Sequence, residues 1–297
     1  MVRMKTALPE RSEFLAERLA KITEVIRELM KDDLSMLILF GSYARGDWVR
    51  DRYVEDGILY SYESDFDFLI VTENRAQTTI SGEARLEEAI QRRLERLRLD
   101  KPSSSVIAEH IERLNKELQR GQYFFTDIKN EGVLLYDDGR HTLAEPGPVD
   151  PIEHQQYARE DFEYWYTSAC DFLKMCEVAM GMDKNNNAAF ELHQAAERFF
   201  HAVILTFTRY KPKTHDLKKL DRQASSLHAD FFTVFPRATE EQKRCFELLR
   251  EAYIGSRYSR SYVITKEELE YLSSRVQKLK ELTKRLCEEQ IAGMVSR

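Results

Sequence analysis

The sequence predicts an α+β domain, a mixed sheet with flanking helices, followed by an all-α antiparallel helical bundle. Three observations carry that prediction. Up to about residue 138, short apolar runs closed by turns alternate with amphipathic segments. A stretch crowded with proline and glycine follows, and beyond it helical periodicity continues with almost no strand signal. At 297 residues the chain also exceeds what one hydrophobic core usually organises, so two domains are expected.

Taken in order, Leu15, Leu19, Ile22, Ile26 and Leu29 recur every three or four residues and make one stripe on a helix from Ser12 to Met30. Met36 to Phe40 is a short apolar run that stops at Gly41-Ser42, as a buried strand bounded by a turn does. A second strand reads Asp-Phe-Asp-Phe-Leu-Ile-Val-Thr from Asp65 to Thr72. Leu86, Ile90, Leu94 and Leu97 mark another helix, and residues 104–108 and 133–136 read as further strands. Pro146, Pro148 and Pro151 with two glycines break any helix between 139 and 151. The expected organisation is therefore a first domain over 1–138, a linker over 139–151 and a helical domain over 152–297. In the last, periodic segments at 152–181, 187–210, 215–229, 240–254 and 266–291 must pair their apolar faces.

Composition narrows the function classes. The net charge of −6 comes without a long basic run, which disfavours general capture of nucleic acid while leaving a local patch open. Cys170, Cys176, Cys245 and Cys287 form no close pair of the zinc-site kind and read as reduced thiols inside helices. No apolar stretch approaches the ~20 residues that cross a bilayer, and no secretory signal is seen, so no membrane role and a cytoplasmic location are expected.

Chemistry concentrates in the first half. Side chains alternate along a strand, so Asp65 and Asp67 share one face, with Cβ atoms roughly 6–7 Å apart. Like charges held that close favour a hard divalent cation, Mg²⁺ or Mn²⁺. Gly41 permits close approach to the backbone, the Ser42 hydroxyl can donate to a phosphate oxygen, and Arg45 adds a charge-assisted donor. Each feature alone is equally an ordinary turn or a solvated strand edge; their order and spacing favour a site.

Phe40-Gly41-Ser42-Tyr43-Ala44-Arg45-Gly46-Asp47 followed by Ser64-Asp65-Phe66-Asp67-Phe68-Leu69-Ile70-Val71 resembles the signature of minimal nucleotidyltransferase domains of the DNA polymerase β superfamily. The resemblance covers roughly residues 12–138. It implies metal-dependent transfer of a nucleoside monophosphate, AMP favoured, from a nucleoside triphosphate such as ATP to a hydroxyl of a protein, RNA or small-molecule acceptor. It also implies a third carboxylate on a later strand; Asp127 and Glu109 are the candidates, Asp127 narrowly preferred. An insertion around Trp48 to Tyr62, expected as a loop or hairpin, lengthens the interval from Ser42 to Asp65.

In the second half, Leu192-His193-Gln194-Ala195-Ala196-Glu197-Arg198-Phe199-Phe200, then Thr214-His215-Asp216-Leu217 and Ser256-Arg257-Tyr258-Ser259, resembles HEPN domains. Many of these are ribonucleases that pair an arginine with a histidine a few residues on. Arg257 and Arg260 are followed by no histidine, so the general acid or base for RNA cleavage is missing and a ribonuclease is not expected. The stripe Leu192, Ala196, Phe199, Val203 reads as core or dimer interface, and a homo-oligomer through the helical domain is expected. The alternative function is a nucleotide-binding regulatory, antitoxin-like module with a dimerising helical domain.

Overall fold

The computed structural model describes residues 4–55, 58–148 and 150–294. It divides into two compact units, one of residues 1–51 and 62–149, the other of 52–61 and 150–297.

The first unit opens with α1 (Ala16–Met30), whose Leu19, Ile22, Val25, Ile26 and Met30 are buried. The stripe is rotated slightly from the expected one, because Leu29 faces outward and Met30 inward. Then come β1 (Leu34–Phe40), the one-turn α2 (Ser42–Arg45) and β4 (Phe66–Thr72); between α2 and β4 the chain forms a two-stranded ribbon of β2 (Arg50–Glu55) and β3 (Ile58–Glu63), whose residues 52–61 group with the second unit. The insertion is thus a hairpin, though most of its side chains lie outside the described residues. α3 (Ile80–Arg96) starts where the Thr79 hydroxyl accepts the Gly82 N–H, and β5 (Ser104–His110), α4 (Ile111–Gln119), α5 (Tyr123–Glu131) and β6 (Val133–Asp137) complete the unit.

The sheet runs β5-β4-β1-β6, with β4 and β5 parallel and the other pairs antiparallel, so it is mixed. Alternation sorts its two faces. Leu37, Leu39, Phe66, Phe68, Ile70 and Val106 join Leu19, Ile22 and Ile26 of α1 and Ile90 and Leu94 of α3 in one core. Burying side chains of this kind contributes about 1.5–3 kcal/mol each. Phe40, Asp67, Ser105 and Glu109 belong to the other face, where Phe124 of α5 meets Phe40 edge-on at 5.6 Å.

In the second unit, Asp150 accepts the Ile152 N–H at 2.8 Å and Pro151 occupies the first turn, which is why α6 (Pro151–Gly181) begins there. α7 (Asn185–Thr208) is buried around nearly its whole circumference from Leu192 to Thr206, the mark of a central helix. α6, α8 (Leu217–Leu227), α9 (Glu240–Glu251), the one-turn α10 (Gly255–Tyr258) and α11 (Lys266–Gly293) surround it. Reciprocal capping boxes start α9 at Thr239/Gln242 and α11 at Thr265/Glu268. Cys176, Cys245 and Cys287 are buried free thiols, and Cys170 is half-buried. No helix among the described residues is long and apolar enough to cross a membrane.

Candidate functional site

Gly41 is the hinge of the first unit's site. It takes φ +73° and ψ −156°, a region open essentially to glycine alone, and a Cβ built on it would stand 2.4 Å from Asp67 Oδ2. The register explains the approach, because Phe40 pairs with Asp67 across β1 and β4, so the residue after Phe40 crosses directly over the carboxylate. Ser42 is 6% exposed, and its hydroxyl oxygen is buried with no hydrogen-bond partner among the described residues. A buried hydroxyl left in this way costs about 1–3 kcal/mol unless a ligand or water meets it.

α2 is a single turn: Ala44 and Arg45 donate to Gly41 O at 3.1 Å, and Gly46 donates to Ser42 O at 2.8 Å. The helix expected after the turn is therefore too short to carry a dipole, and any phosphate contact comes from local N–H groups and the hydroxyl. The turn is fixed from behind, where Tyr43 packs on Phe66 at 4.7 Å and on Trp48 at 5.4 Å, and Ser12 Oγ donates to Tyr43 O at 2.8 Å. Arg45 donates to Asp47 at 2.9 Å.

Asp65 and Asp67 are both buried, at 8% and 5% exposure. Asp67 lies on β4, whereas Asp65 sits just before the strand and accepts a hydrogen bond from Ser103 Oγ. Asp65 and Asp67 are the residues that would hold a divalent ion, beside the tight Gly41 approach and the orphaned Ser42 hydroxyl. Among the described residues, no group of three or more Asp, Glu, His or Cys side chains is arranged to hold a metal.

That result follows from the third position. On β5 the residue opposite Asp67 is Ser105, so the neighbouring strand offers a hydroxyl where a carboxylate would complete the set. Glu109 pairs with Val71, four residues further along, roughly 13 Å away, and its carboxylate lies 3.4 Å from Arg113. Asp127 is on helix α5, not on a strand. Burial first, then the neighbouring Glu131 charge, pushes its carboxyl up to about 7, while Arg45 acts in the opposite sense. Asp127 and Arg45 thus share one electrostatic neighbourhood, and Glu109 is separate from it.

The second unit holds its own polar centre, built on α7. His193 is 1% exposed, with Nδ1 2.9 Å from Leu249 O and Nε2 3.5 Å from Glu197. Half-exposed His215 brings Nδ1 to 2.9 Å from the other Glu197 oxygen. Burial alone would raise the Glu197 carboxyl, but the His193 and His215 hydrogen bonds bring it down to about 2. The Tyr253 ring stacks on both imidazoles, at 5.3 and 5.0 Å. His215 and Tyr253 line a cavity of about 600 Å³ together with Asp216, Arg250 and Tyr262. Asp216 caps α8 through the Lys218 N–H, so His215 itself is no cap. His201 is 2% exposed, and its burial lowers it to about 4. Arg257 stacks on Phe190 at 4.5 Å and donates to Tyr253 O.

The sequence model of the HEPN domain matches residues 162–286, which spans α7, the Glu197 cluster and the Arg257 turn. The second unit contains a HEPN domain. The match does not extend into the first unit, and no curated protein matches the chain. Within the HEPN domain, sequence reading singled out His193, His215 and Arg257 but missed Glu197, which joins the two histidines. The signal was present: Glu197 follows His193 by four residues and so shares its helix face. Ser105 was equally legible only after the strand register was known.

Proposed function

We propose that the first unit binds a nucleoside triphosphate at the Gly41-Ser42 turn and transfers its nucleoside monophosphate, AMP favoured, to a hydroxyl acceptor. The observation that carries this reading is the glycine-only approach of Gly41 to Asp67 beside the orphaned buried hydroxyl of Ser42. A divalent ion, Mg²⁺ or Mn²⁺, held by Asp65 and Asp67 would neutralise phosphate charge and favour pyrophosphate as leaving group. Ser42 donates to a phosphate oxygen and Arg45 supplies a second donor. Asp127, with a carboxyl near 7, has the proton affinity of a base working around neutral pH. It is on the same electrostatic ground as Arg45, and on that basis it is favoured over Glu109.

The test is incubation of the full chain with labelled ATP, GTP, CTP or UTP and Mg²⁺ or Mn²⁺, alone and with cell lysate. Metal-dependent transfer of label that disappears in Asp65→Ala/Asp67→Ala is the expected result; transfer that survives that pair of changes refutes the assignment.

A second reading is supported by one observation. Ser105 stands where the neighbouring strand would contribute a carboxylate, which suits a site that binds nucleotide and turns over slowly. In that reading the chain is a regulatory module and its HEPN domain mediates self-association. Tight nucleotide binding without label transfer selects it.

A further inference from the structure

Asp65 and Asp67 are held in different ways. Asp67 is a ladder residue, paired with Phe40 on β1 and with Ser105 on β5, and the Gly41 backbone closes over its Oδ2. Asp65 stands one residue before β4, and the ladder between β4 and β5 begins only at Phe66 and Ser104.

The backbone on either side of Asp65 is nonetheless fixed. Ser64 donates its N–H to Val49 O at 2.9 Å and accepts the Val49 N–H on Oγ at 2.9 Å. Phe66 donates its N–H to Ser103 O at 2.8 Å. These bonds leave the carboxylate plane of Asp65 open, because the last torsion of an aspartate is broad and no staggered well selects it.

Ser103 provides that last restraint. It precedes β5, and although it lies 38 residues from Asp65 in the chain, its Oγ donates to Asp65 Oδ1. The same residue therefore grips the main chain just after Asp65 through its carbonyl and the Asp65 side chain through its hydroxyl. The chemistry of the donor matters as much as its place. A lysine or arginine there would neutralise the carboxylate and stand where a cation would go, whereas a hydroxyl orients it and leaves its negative charge. One hydroxyl also takes only one of the roughly four lone-pair sites a carboxylate offers, so Asp65 keeps its capacity as a ligand. Carboxylates that hold metals are themselves hydrogen-bonded by outer partners of this kind, which set their orientation.

We infer that Ser103 is a positioning residue for the divalent-cation site, its hydroxyl setting the Asp65 carboxylate so that it shares a cation with Asp67. The inference rests on the reading of Asp65 and Asp67 as the residues that hold the cation. Its test is Mn²⁺ binding to the full chain without nucleotide, read by electron paramagnetic resonance of the free ion. The parent should bind and Asp65→Ala/Asp67→Ala should not; no difference between the two refutes the metal site itself and the inference with it. Ser103→Ala should weaken Mn²⁺ binding about 10- to 100-fold, and Ser103→Thr, which keeps the hydroxyl, should restore the parent's affinity. Unchanged affinity in Ser103→Ala, or a loss that Ser103→Thr does not restore, overturns the positioning role and leaves the metal site standing. Amide NMR spectra of Ser103→Ala should change only around residues 63–67 and 101–105. Changes that spread to β1 and β6, or a chain that fails to fold, make Ser103 part of the sheet's frame and likewise overturn the role.

Discussion

At Gly41 the backbone angles disfavour any side chain, and a Cβ there would also displace the Asp67 carboxylate. Gly41→Ala should therefore cost about 1–3 kcal/mol in urea unfolding and abolish nucleotide binding; a variant as stable as the parent with unchanged affinity contradicts the assigned geometry. Ser105 allows the converse experiment. Ser105→Asp places a carboxylate opposite Asp67 and should raise Mn²⁺ affinity at least tenfold, read by electron paramagnetic resonance of free Mn²⁺. Asp127 gives a pH signature. Its folded value, about 7, lies above its ordinary 3.8, so the folded chain holds the proton more tightly than the unfolded chain. Stability from this group is present below about 3.8 and declines as pH rises toward 7, and Asp127→Asn should flatten that slope in denaturation curves. Gly41, Ser42, Asp65 and Asp67 were legible in sequence because a local turn and a strand with acidic alternation place them. The third position was not, because it depends on pairing between residues almost forty apart in the chain, Asp67 with Ser105.

Elements were easier to read than residues. The five long helices of the second unit and the four strands of the sheet follow local periodicity and punctuation, and the Asp150-Pro151 start of α6 is written into the chain. What periodicity could not supply was that Asp127 belongs to a helix, since Phe124-Phe125-Thr126-Asp127-Ile128 is apolar enough to suit either element. Gln122 decides it by accepting the Phe125 N–H and starting α5. In the HEPN domain, α7 depends on Glu197 as well as on apolar packing. Glu197→Gln withdraws the charge that holds His193 and His215, and should destabilise the domain by about 1–3 kcal/mol in urea unfolding at pH 7. The Glu197 carboxyl lies at about 2, below its ordinary 4.5, so this stability is present above 4.5 and is lost as pH falls through about 2. The variant should therefore match the parent near pH 2; an equal deficit at both pH values assigns the loss to packing instead.

At the scale of the whole molecule, two apolar cores share no residue, one under the sheet and one around α7. The polar centres divide in the same way, with the Gly41–Asp67 turn in the first unit and the Glu197 cluster in the second. A ligand that binds only the folded form of one unit stabilises it by a factor of about 1 + [L]/Kd, roughly a hundredfold at a hundred times Kd. With ATP and Mg²⁺ at that level, the slowest-exchanging amides of β1 and β4 should gain protection by about a hundredfold, while those of α7 serve as the internal reference. Asp65→Ala/Asp67→Ala should remove the gain. Protection that rises in α7 and not in β1 and β4 would move the nucleotide to the 600 Å³ cavity beside His215 and Tyr253 and refute its assignment to the Gly41 turn.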